Sequence, residues 1–385
     1  MSITLAKLSA AVNEFAPYAL AYDWDNVGLQ IGDPAMEIQR VLVGLEVTEA
    51  TVRRAMELEC EAIISHHPLI FKALKSLRPD SVEGRLQFEL VRNNIGLIAA
   101  HTNLDRVLHG TNGAMAALLG LRDWEVVEPV SIARTFKFTV FVPREFTPKI
   151  IEAVHRGGGG RIGAYSHCSF RAPGTGTFVP LEGARPFSGS LGKMEQAEED
   201  RLEVLVPERA LRDVLAEVRQ AHPYEEVAFD VFPLHEADPA QGLGLVGILP
   251  TKTPLRQFAQ QVRGVVTEDF VQFAGESSWP VKRVAVITGS AGGSAHLINK
   301  NVADVLVTGE LNYHTALDLT ARGVGVICTG HAASERIFAP YFCQTFGQNK
   351  VVADGGIELL SYTNYPEPWK LVRPATEAVK VVKKR

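Results

Sequence analysis

Short apolar runs alternate with amphipathic segments in the first hundred residues of this 385-residue chain. The runs "RVLVGLEV", "AIIS" and "IGLIAA" have the character of strands that are buried on both faces. Between them, "TEATVRRAMELE" and "RLQFELVRNN" have helical apolar spacing, and Thr48 is suited to an N-cap, with Thr51 expected on the exposed face. This order of elements predicts an α/β fold built on a mainly parallel sheet.

The same rhythm returns in the last third of the chain. The apolar runs are "RVAVITGSAGG", "ADVLVTGE" and "VGVICTGH", and the segments between them, "SAHLINKNV" and "YHTALDLTARG", are predicted to be helical. Because this set matches the first in pattern, we predict two similar α/β halves that form one core. The halves are placed at residues 1–130 and 237–385.

Residues 131–236 have a different texture. "TFKFTVFVP" alternates like a strand with one solvent face, and a helix, a strand, another strand, a helix and a final strand are predicted after it. This β-α-β and β-α-β order is that of a ferredoxin-like α+β unit. Because the chain enters and leaves it between the two halves, we interpret it as an inserted domain.

Charge and cysteine content exclude several classes of protein. The formal net charge of −5 gives no whole-chain basic field, and only the tail "KVVKKR" is markedly basic, so nucleic acid is not an expected partner. The 4 cysteines form no CxxC pair, which argues against a disulfide framework or a Cys-rich zinc module. No apolar run approaches the roughly 20 residues that cross a bilayer, and the first residues lack a signal-peptide pattern. We therefore expect a cytoplasmic protein with no membrane partner.

Histidines and carboxylates gather at the carboxyl ends of the predicted strands. His66 and His67 follow "AIIS", and pairs spaced by four residues follow three other strands: His101 with Asp105, Glu310 with His314, and His331 with Glu335. Strand ends converge at one edge of an α/β sheet, and a spacing of four puts two side chains on one side of a helical turn. Imidazole and carboxylate together suit Zn, Fe, Mn or Co.

Each of these groups alone has a plainer interpretation, as a hydrogen-bonded loop histidine or a helix salt bridge. Taken together, they supply five ligands: His66, His67, Asp105, His331 and Glu335. A structural zinc takes four ligands and a catalytic one about three, so two divalent metal ions roughly 3.5 to 4 Å apart use the set better than one. His101 and His314 then orient ligands or transfer protons.

Two other segments place polar residues at turns. "ITGSAGGSAHL" lacks the lysine of a P-loop, so a tight turn is favoured over a phosphate site. In "HPYEEVAFDV", packing of Tyr224 with capping by its neighbours is the plain interpretation, and a ligand contact is the alternative.

Five segments in order, "DWDNVGLQIGD", "SHHPLIF", "HTNLD", "TGELNYH" and "GHAASE", resemble the signature segments of the Nif-three-like family, whose members are often labelled GTP cyclohydrolase 1 type 2 homologues. "GTGTFVPLEGARPFSG" and "HPYEEVAFDVFPL" resemble the PII/CutA-like inserted domain of its longer bacterial form. The resemblance implies a dinuclear metal centre on the same five ligands, and a toroidal homohexamer whose metal sites face an internal cavity. One departure is Glu310, where the family usually has Asp.

Three hypotheses of function follow. In the first, the protein is a metal-dependent hydrolase that acts on a nucleotide or phosphoester-like small molecule, with GTP cyclohydrolase-type ring opening as the refinement that the family label suggests. The second is a non-enzymatic metal-binding or regulatory protein that senses a ligand or binds a partner. In the third, the metals only hold the two halves together, so that chelation unfolds the protein.

Overall fold

The computed structural model describes residues 2–130, 135–234, 238–365 and 368. The chain divides into two compact units, one formed by Met1–Val130 with Pro239–Arg385 and the other by Ser131–Asp238. The basic tail "KVVKKR" lies outside the described residues.

The first part of the core unit contains seven strands and five α-helices within the described ranges. They are β1 (Ile3–Thr4), α1 (Leu5–Phe15), β2 (Gly28–Ile31), β3 (Glu37–Ile38), β4 (Arg40–Gly44), α2 (Glu49–Glu57), β5 (Ala62–Ser65), α3 (Val82–Arg92), β6 (Gly96–Ala99), α4 (Thr102–Asp105), α5 (Thr111–Leu118) and β7 (Arg122–Val130).

The other unit is a four-stranded antiparallel sheet with two helices. Its elements are β8 (Thr135–Pro143), α6 (Thr147–Arg156), β9 (Ser169–Phe178), β10 (Glu195–Pro207), α7 (Glu208–Ala221) and β11 (Phe229–Leu234). The strand order is β11-β8-β10-β9. Apolar residues of α6 and α7, such as Ile150 and Val214, pack in one cluster with Phe138, Val140 and Leu202 of the sheet.

The last part of the chain returns to the core unit. Its elements are β12 (Asp238–Pro254), α8 (Leu255–Val266), β13 (Gln272–Ala274), β14 (Pro280–Ser290), β15 (Val305–Glu310), α9 (Tyr313–Ala321), β16 (Gly325–Cys328), α10 (His331–Glu335), α11 (Phe338–Phe346), α12 (Lys350–Gly355) and β17 (Glu358–Tyr362). None of the helices in the described ranges is both long and apolar enough to cross a bilayer.

The core unit has a mixed α/β fold with two main sheets. One has the order β17-β4-β5-β6-β2 and the other the order β13-β16-β15-β14-β12-β7. In each, three predicted strands pair in parallel, namely β4, β5 and β6 in the first sheet and β14, β15 and β16 in the second. The carboxyl ends of each trio therefore lie at one edge of its sheet.

The two sheets exchange edge strands. β17, from the end of the chain, pairs in parallel with β4, whereas β7, from the first part, lies at the edge of the second sheet. The core follows the same exchange, because Phe338 and Phe342 of α11 pack in one buried cluster with Leu5 and Val41. The two parts of the sequence consequently share one core.

Two local predictions were wrong. Thr51 is fully buried instead of exposed, because its hydroxyl completes a capping box with Thr48 and donates to the Glu46 carbonyl at 2.8 Å. "SAHLINKNV" is not an α-helix; a short 3-10 helix, Gly292–Leu297, is followed by turns. The Asn299 side chain accepts from the Asn301 amide at 2.9 Å, a local bond of the kind that competes with helix formation.

Candidate metal centre

The two adjacent histidines are fixed by the continuation of a parallel strand pair. His66 and His67 follow β5 directly, and their amides donate to the carbonyls of Gly44 and Leu45 at 3.0 and 2.9 Å. These bonds extend the β4–β5 ladder past the last strand residue. The backbone that carries both imidazoles is thus hydrogen-bonded to the chain just past β4.

Three histidines are oriented through their Nδ1 atoms. His66 Nδ1 bonds to the Ala100 carbonyl at 2.9 Å, His67 Nδ1 to Glu46 Oε1 at 2.6 Å, and His101 Nδ1 to Asp25 Oδ1 at 2.9 Å. Each partner is an acceptor, so Nδ1 carries the proton and donates it. In the neutral ring, Nε2 is then left with a free lone pair, the state in which imidazole binds a metal.

The Nε2 atoms converge on Glu335, which lies one helical turn after His331 on α10. Glu335 Oε2 is 3.1 Å from His67 Nε2 and 3.2 Å from His331 Nε2. Its other oxygen, Oε1, is 3.8 Å from His66 Nε2, which in turn is 3.6 Å from Asp105 Oδ1. The two oxygens of one carboxylate therefore face two different sets of donors.

These separations suit coordination. Ligand atoms that lie about 2.0 to 2.2 Å from one ion stand roughly 2.9 to 3.6 Å apart, depending on the coordination number. The ligand atoms of His67, His331 and Glu335 all lie within 4.8 Å of one another, as do those of His66, His67 and His101. Both groups consist of nitrogen and oxygen donors, the chemistry of Zn, Fe, Mn or Co sites.

With the histidines neutral, as they are when they bind a metal, two buried atoms of the cluster lack hydrogen-bond partners in the described part of the chain. They are His66 Nε2 and Glu335 Oε2, and their residues are 0% and 4% exposed. A buried polar atom without a partner costs roughly 1 to 3 kcal/mol, or more when it is charged. A cation bound between them would remove this cost, so the residues present fit a divalent metal.

The cluster holds its carboxylate ionised. Burial in itself raises the pKa of Glu335, but the neighbouring histidines His331, His66 and His67 hold it well below its usual range. Burial lowers the pKa of His67, and the carboxylates of Glu335 and Glu46 outweigh this and raise it to about 10. The charge of Glu335 is thus available to a cation at neutral pH.

The absence of a side chain at Gly289 leaves the space that Glu335 occupies. Gly289, near the end of β14, has a φ of +64°, and a Cβ built on it would lie 2.1 Å from Glu335 Oε1. The Gly289 amide donates to Ser334 Oγ at 2.8 Å, so this glycine is also bonded to the helix that carries Glu335. A larger residue at this position is incompatible with the position of the carboxylate.

Comparison with known proteins identifies the relatives of this chain. The profile of the family described as Duf34/NIF3 (NGG1p interacting factor 3) matches residues 3–368. The chain belongs to the Duf34/NIF3 family.

A Bacillus subtilis protein named "GTP cyclohydrolase 1 type 2 homolog" is 38% identical over 322 residues, 84% of this chain and 86% of the relative. A relative of the same name from Halalkalibacterium halodurans is 40% identical over 318 residues, 82% of this chain and 85% of the relative. The crystal structure of a Bacillus cereus protein related to NIF3 has a TM-score of 0.71 at 33% identity, covering 96% of this chain and 99% of its own.

The five predicted ligands of this Duf34/NIF3 protein lie in one cluster. His101 joins them, with its ring centroid 5.2 Å from that of His66 and 5.4 Å from that of His67. Glu310 approaches from the side, with Oε2 3.6 Å from His331 Nδ1. His314 is exposed, and its ring contacts that of Tyr313; no contact among the described residues joins it to the cluster.

Three residues that support the cluster were not predicted. Glu46 and Asp25 accept the Nδ1 protons described above, and the Thr111 hydroxyl donates to Asp105 Oδ1. Asp25 also accepts from the Thr102 amide, and the bonds from His101 and Thr102 outweigh burial and lower its pKa to about 2. Asp25 lies in the loop "DWDNVGLQIGD" and Glu46 just past β4 in "GLEV". The only sequence signal was therefore a carboxylate in a loop or just past a strand, with no fixed spacing to a histidine.

A cleft of about 760 Å³ in this Duf34/NIF3 protein borders the Glu310 side of the cluster. It is lined by residues that include Phe270, Gly309, Glu310 and Gly330. Its volume lies within the range of roughly 300 to 1,000 Å³ typical of small-molecule sites. His331, next to it, is 39% exposed, so one member of the cluster is open to solvent.

Proposed function

We propose that this protein binds two divalent metal ions per subunit and is a metal-dependent hydrolase of a nucleotide or phosphoester-like small molecule. The observation that carries the proposal is the arrangement around Glu335. One oxygen approaches His67 and His331 and the other approaches His66, which lies beside Asp105. One carboxylate shared by two donor sets suits two ions better than one.

Bound divalent ions would supply positive charge that polarises a carbonyl or phosphoryl oxygen and makes water acidic near neutral pH. His66, His67, Asp105, His331 and Glu335 would hold them. The chain's own contribution is orientation. Ala100, Glu46 and Thr111 fix the directions of His66, His67 and Asp105, and such outer partners typically change metal affinity 10- to 100-fold.

We assign proton transfer to His101. Its Nδ1 proton is held by Asp25, and its ring lies beside His66 and His67, so its Nε2 is directed to the centre where a proton must be accepted or released. Asp25 stays ionised, which stabilises the imidazolium that forms when His101 takes a proton. His314 has the same role in our sequence hypothesis, but its exposed position supports it less well than His101.

Elemental analysis of the full chain as isolated tests metal binding. We expect about two divalent ions per subunit in the wild type, clearly fewer after His67→Ala, and an unchanged number after His314→Ala, the matched exposed histidine. One ion per subunit in the wild type, or two ions in His67→Ala, would contradict the dinuclear proposal.

Turnover is tested separately with the metal identified in that analysis. Nucleotides and phosphoesters, GTP among them for the ring-opening reaction, are screened with metal-free and metal-restored protein. We expect hydrolysis only in the restored protein and little in His67→Ala. Unchanged activity without metal would refute the hydrolase, and two bound ions with no turnover of any substrate would favour the non-enzymatic metal-binding or regulatory alternative.

The organisation of the chain completes the proposal. We propose that residues 131–236 form a ferredoxin-like, PII/CutA-like inserted domain between the core halves at 1–130 and 237–385; the strand order β11-β8-β10-β9 with two helices supports this. The family resemblance supports a toroidal homohexamer in the cytoplasm. Light scattering of the purified chain tests the assembly, since a stable mass of one subunit would contradict it.

A further inference from the structure

Exposed aromatic rings stand beside the candidate metal centre. Trp24 is 57% exposed and Phe71 is 44% exposed, although both are large and apolar. Their ring centroids are 5.9 Å apart, with 55° between the planes. Trp24 also contacts the His101 ring edge-on, at 6.3 Å between centroids. We refer to Trp24 and Phe71 as the aromatic platform.

A stack of neighbouring side chains holds Trp24 in place. The Tyr22 ring stacks on Trp24 at 5.3 Å with an interplanar angle of 12°, and the Arg106 guanidinium lies over Tyr22 at 3.7 Å from its centroid. Arg106 in turn donates to the Leu20 carbonyl at 2.8 Å. This stack fixes the plane of Trp24 without covering it, as its exposure shows.

Hydrogen bonds join the two loops that carry the platform. Gln30 Nε2 donates to the Ile70 carbonyl at 3.1 Å, and the Ile70 amide donates back to Gln30 Oε1 at 3.0 Å. Asn26 Nδ2 donates to the same carbonyl. Asp25, which follows Trp24, is bonded to His101 and Thr102. The rings are therefore positioned relative to each other and to the metal centre before any ligand binds, which reduces the entropy cost of binding.

We infer that the platform binds the planar heteroaromatic ring of the substrate by stacking, and that the substrate is a nucleotide. This inference rests on the proposed function, because it takes the metal centre as the place where the anionic or scissile group is held. An exposed tryptophan face gains most from a flat ring, which stacks on it regardless of base identity.

Calorimetry of the metal-restored full chain with AMP, GMP, CMP and UMP tests the inference, with ribose 5-phosphate as the probe that lacks a base. The wild type is expected to bind at least one mononucleotide more tightly than ribose 5-phosphate. Trp24→Leu should raise the Kd of that nucleotide roughly 5-fold to 150-fold, the effect of one lost base–aromatic stack, and leave ribose 5-phosphate unchanged. Trp24→Phe, which keeps a flat ring, should lose less.

Phe270 is 46% exposed and lines the cleft on the Glu310 side of the cluster, so Phe270→Leu tests the competing site. Phe88→Leu is the matched control, because Phe88 is 39% exposed on α3, outside the cleft and the platform. Its mononucleotide Kd should equal that of the wild type. If Phe270→Leu weakens binding and Trp24→Leu does not, the base lies in the cleft and the inference is wrong. Equal wild-type affinity for ribose 5-phosphate and all four mononucleotides also overturns it.

Three measurements separate other causes. If Trp24→Leu fails to fold, by circular dichroism, Phe71→Leu replaces it with the same expectations. If Trp24→Leu changes the mass of the assembly, Trp24 is a subunit contact and the inference fails. Metal stoichiometry is measured in every variant. If Trp24→Leu binds two ions, turns over substrate normally and binds nucleotide as the wild type does, the platform is rejected and the proposed function stands. If the protein binds no metal but Trp24→Leu still weakens nucleotide binding, the proposed function is rejected and the platform stands.

Discussion

Replacing Gly289 with alanine should greatly weaken metal binding although none of the proposed ligands is substituted. The added Cβ would lie 2.1 Å from Glu335 Oε1. Carbon and oxygen atoms in contact stand more than 3 Å apart, so the carboxylate must move by roughly 1 Å or more. Glu335 is 4% exposed and lies between three histidines, and it therefore has little room to move without losing its position near their Nε2 atoms.

Gly289→Ala should change both the folding stability and the metal affinity. A non-glycine residue at a φ of +64° costs roughly 1 to 2 kcal/mol of folding free energy by itself. Displacement of a carboxylate that contacts both donor sets should weaken metal binding by roughly 100-fold or more, since loss of outer partners alone costs 10- to 100-fold. A 100-fold loss of affinity corresponds to about 2.7 kcal/mol, so the defect in metal affinity should exceed the cost of the backbone strain.

Gly292→Ala is the matched control. Gly292 also has a positive φ, +45°, but a Cβ there would meet nothing within 4 Å. Zinc titration against a competing chelator measures the affinity of both variants, and urea unfolding of the metal-free proteins measures their stability. Both variants should lose stability, Gly289→Ala the more because it also displaces Glu335, and only Gly289→Ala should lose affinity. Gly289→Ala with two ions bound at wild-type affinity would refute the position of Glu335 described above.

Three other predictions concern the surroundings of the cluster. Glu46→Ala removes the acceptor of His67 Nδ1 and should weaken metal binding roughly 10- to 100-fold in chelator competition, while an unchanged affinity would show that Glu46 does not orient the ring. In metal-free protein the pKa of His67, about 10, lies above its usual 6.5. The stability that its protonation contributes is therefore complete below pH 6.5 and is lost as the pH rises through 10. Urea unfolding should show a loss of roughly 2 to 4 kcal/mol between pH 7 and 10 that is absent in His67→Ala. Thr51→Ala should cost roughly 1 kcal/mol in the same assay because it breaks the capping box. Thr315→Ala is the control and should cost less, because the Thr315 amide still donates to Asn312 Oδ1 when the half-buried hydroxyl is removed.

The pattern of apolar runs was sufficient to predict the central strands but not their edges. β4, β5 and β6, like β14, β15 and β16, are short buried runs whose parallel pairing follows from the helices or loops between them. The exchange of β7 and β17 depends on which sheet each strand reaches after the chain has folded. No local pattern encodes that choice, because an edge strand can pair with either sheet.

The predicted ligands could be chosen from local sequence, whereas the residues that orient them could not. His66 and His67 follow β5 directly, and His331 begins the short helix that ends at Glu335, so their positions reflect local geometry. Asp25 and Glu46 meet histidines that are 76 and 21 residues away in the chain. Such partners are determined by tertiary structure alone. His314 shows the converse: it has the local spacing to a carboxylate, but the tertiary structure leaves it away from the cluster.

The protonation of the metal-free cluster separates two of the hypotheses of function. Without metal, the negative charge of Glu335 is balanced by the histidines around it, and the carboxylates raise the pKa of His331 and, against burial, those of His66 and His67. Protons can therefore occupy the centre in place of ions at neutral pH, and metal binding must displace them. The buried cluster described above spans both parts of the sequence through α11 and is built from apolar side chains that bind no metal. Chelation at pH 7 should accordingly leave a folded protein, as the hydrolase and regulatory hypotheses require and a purely structural role for the metals does not.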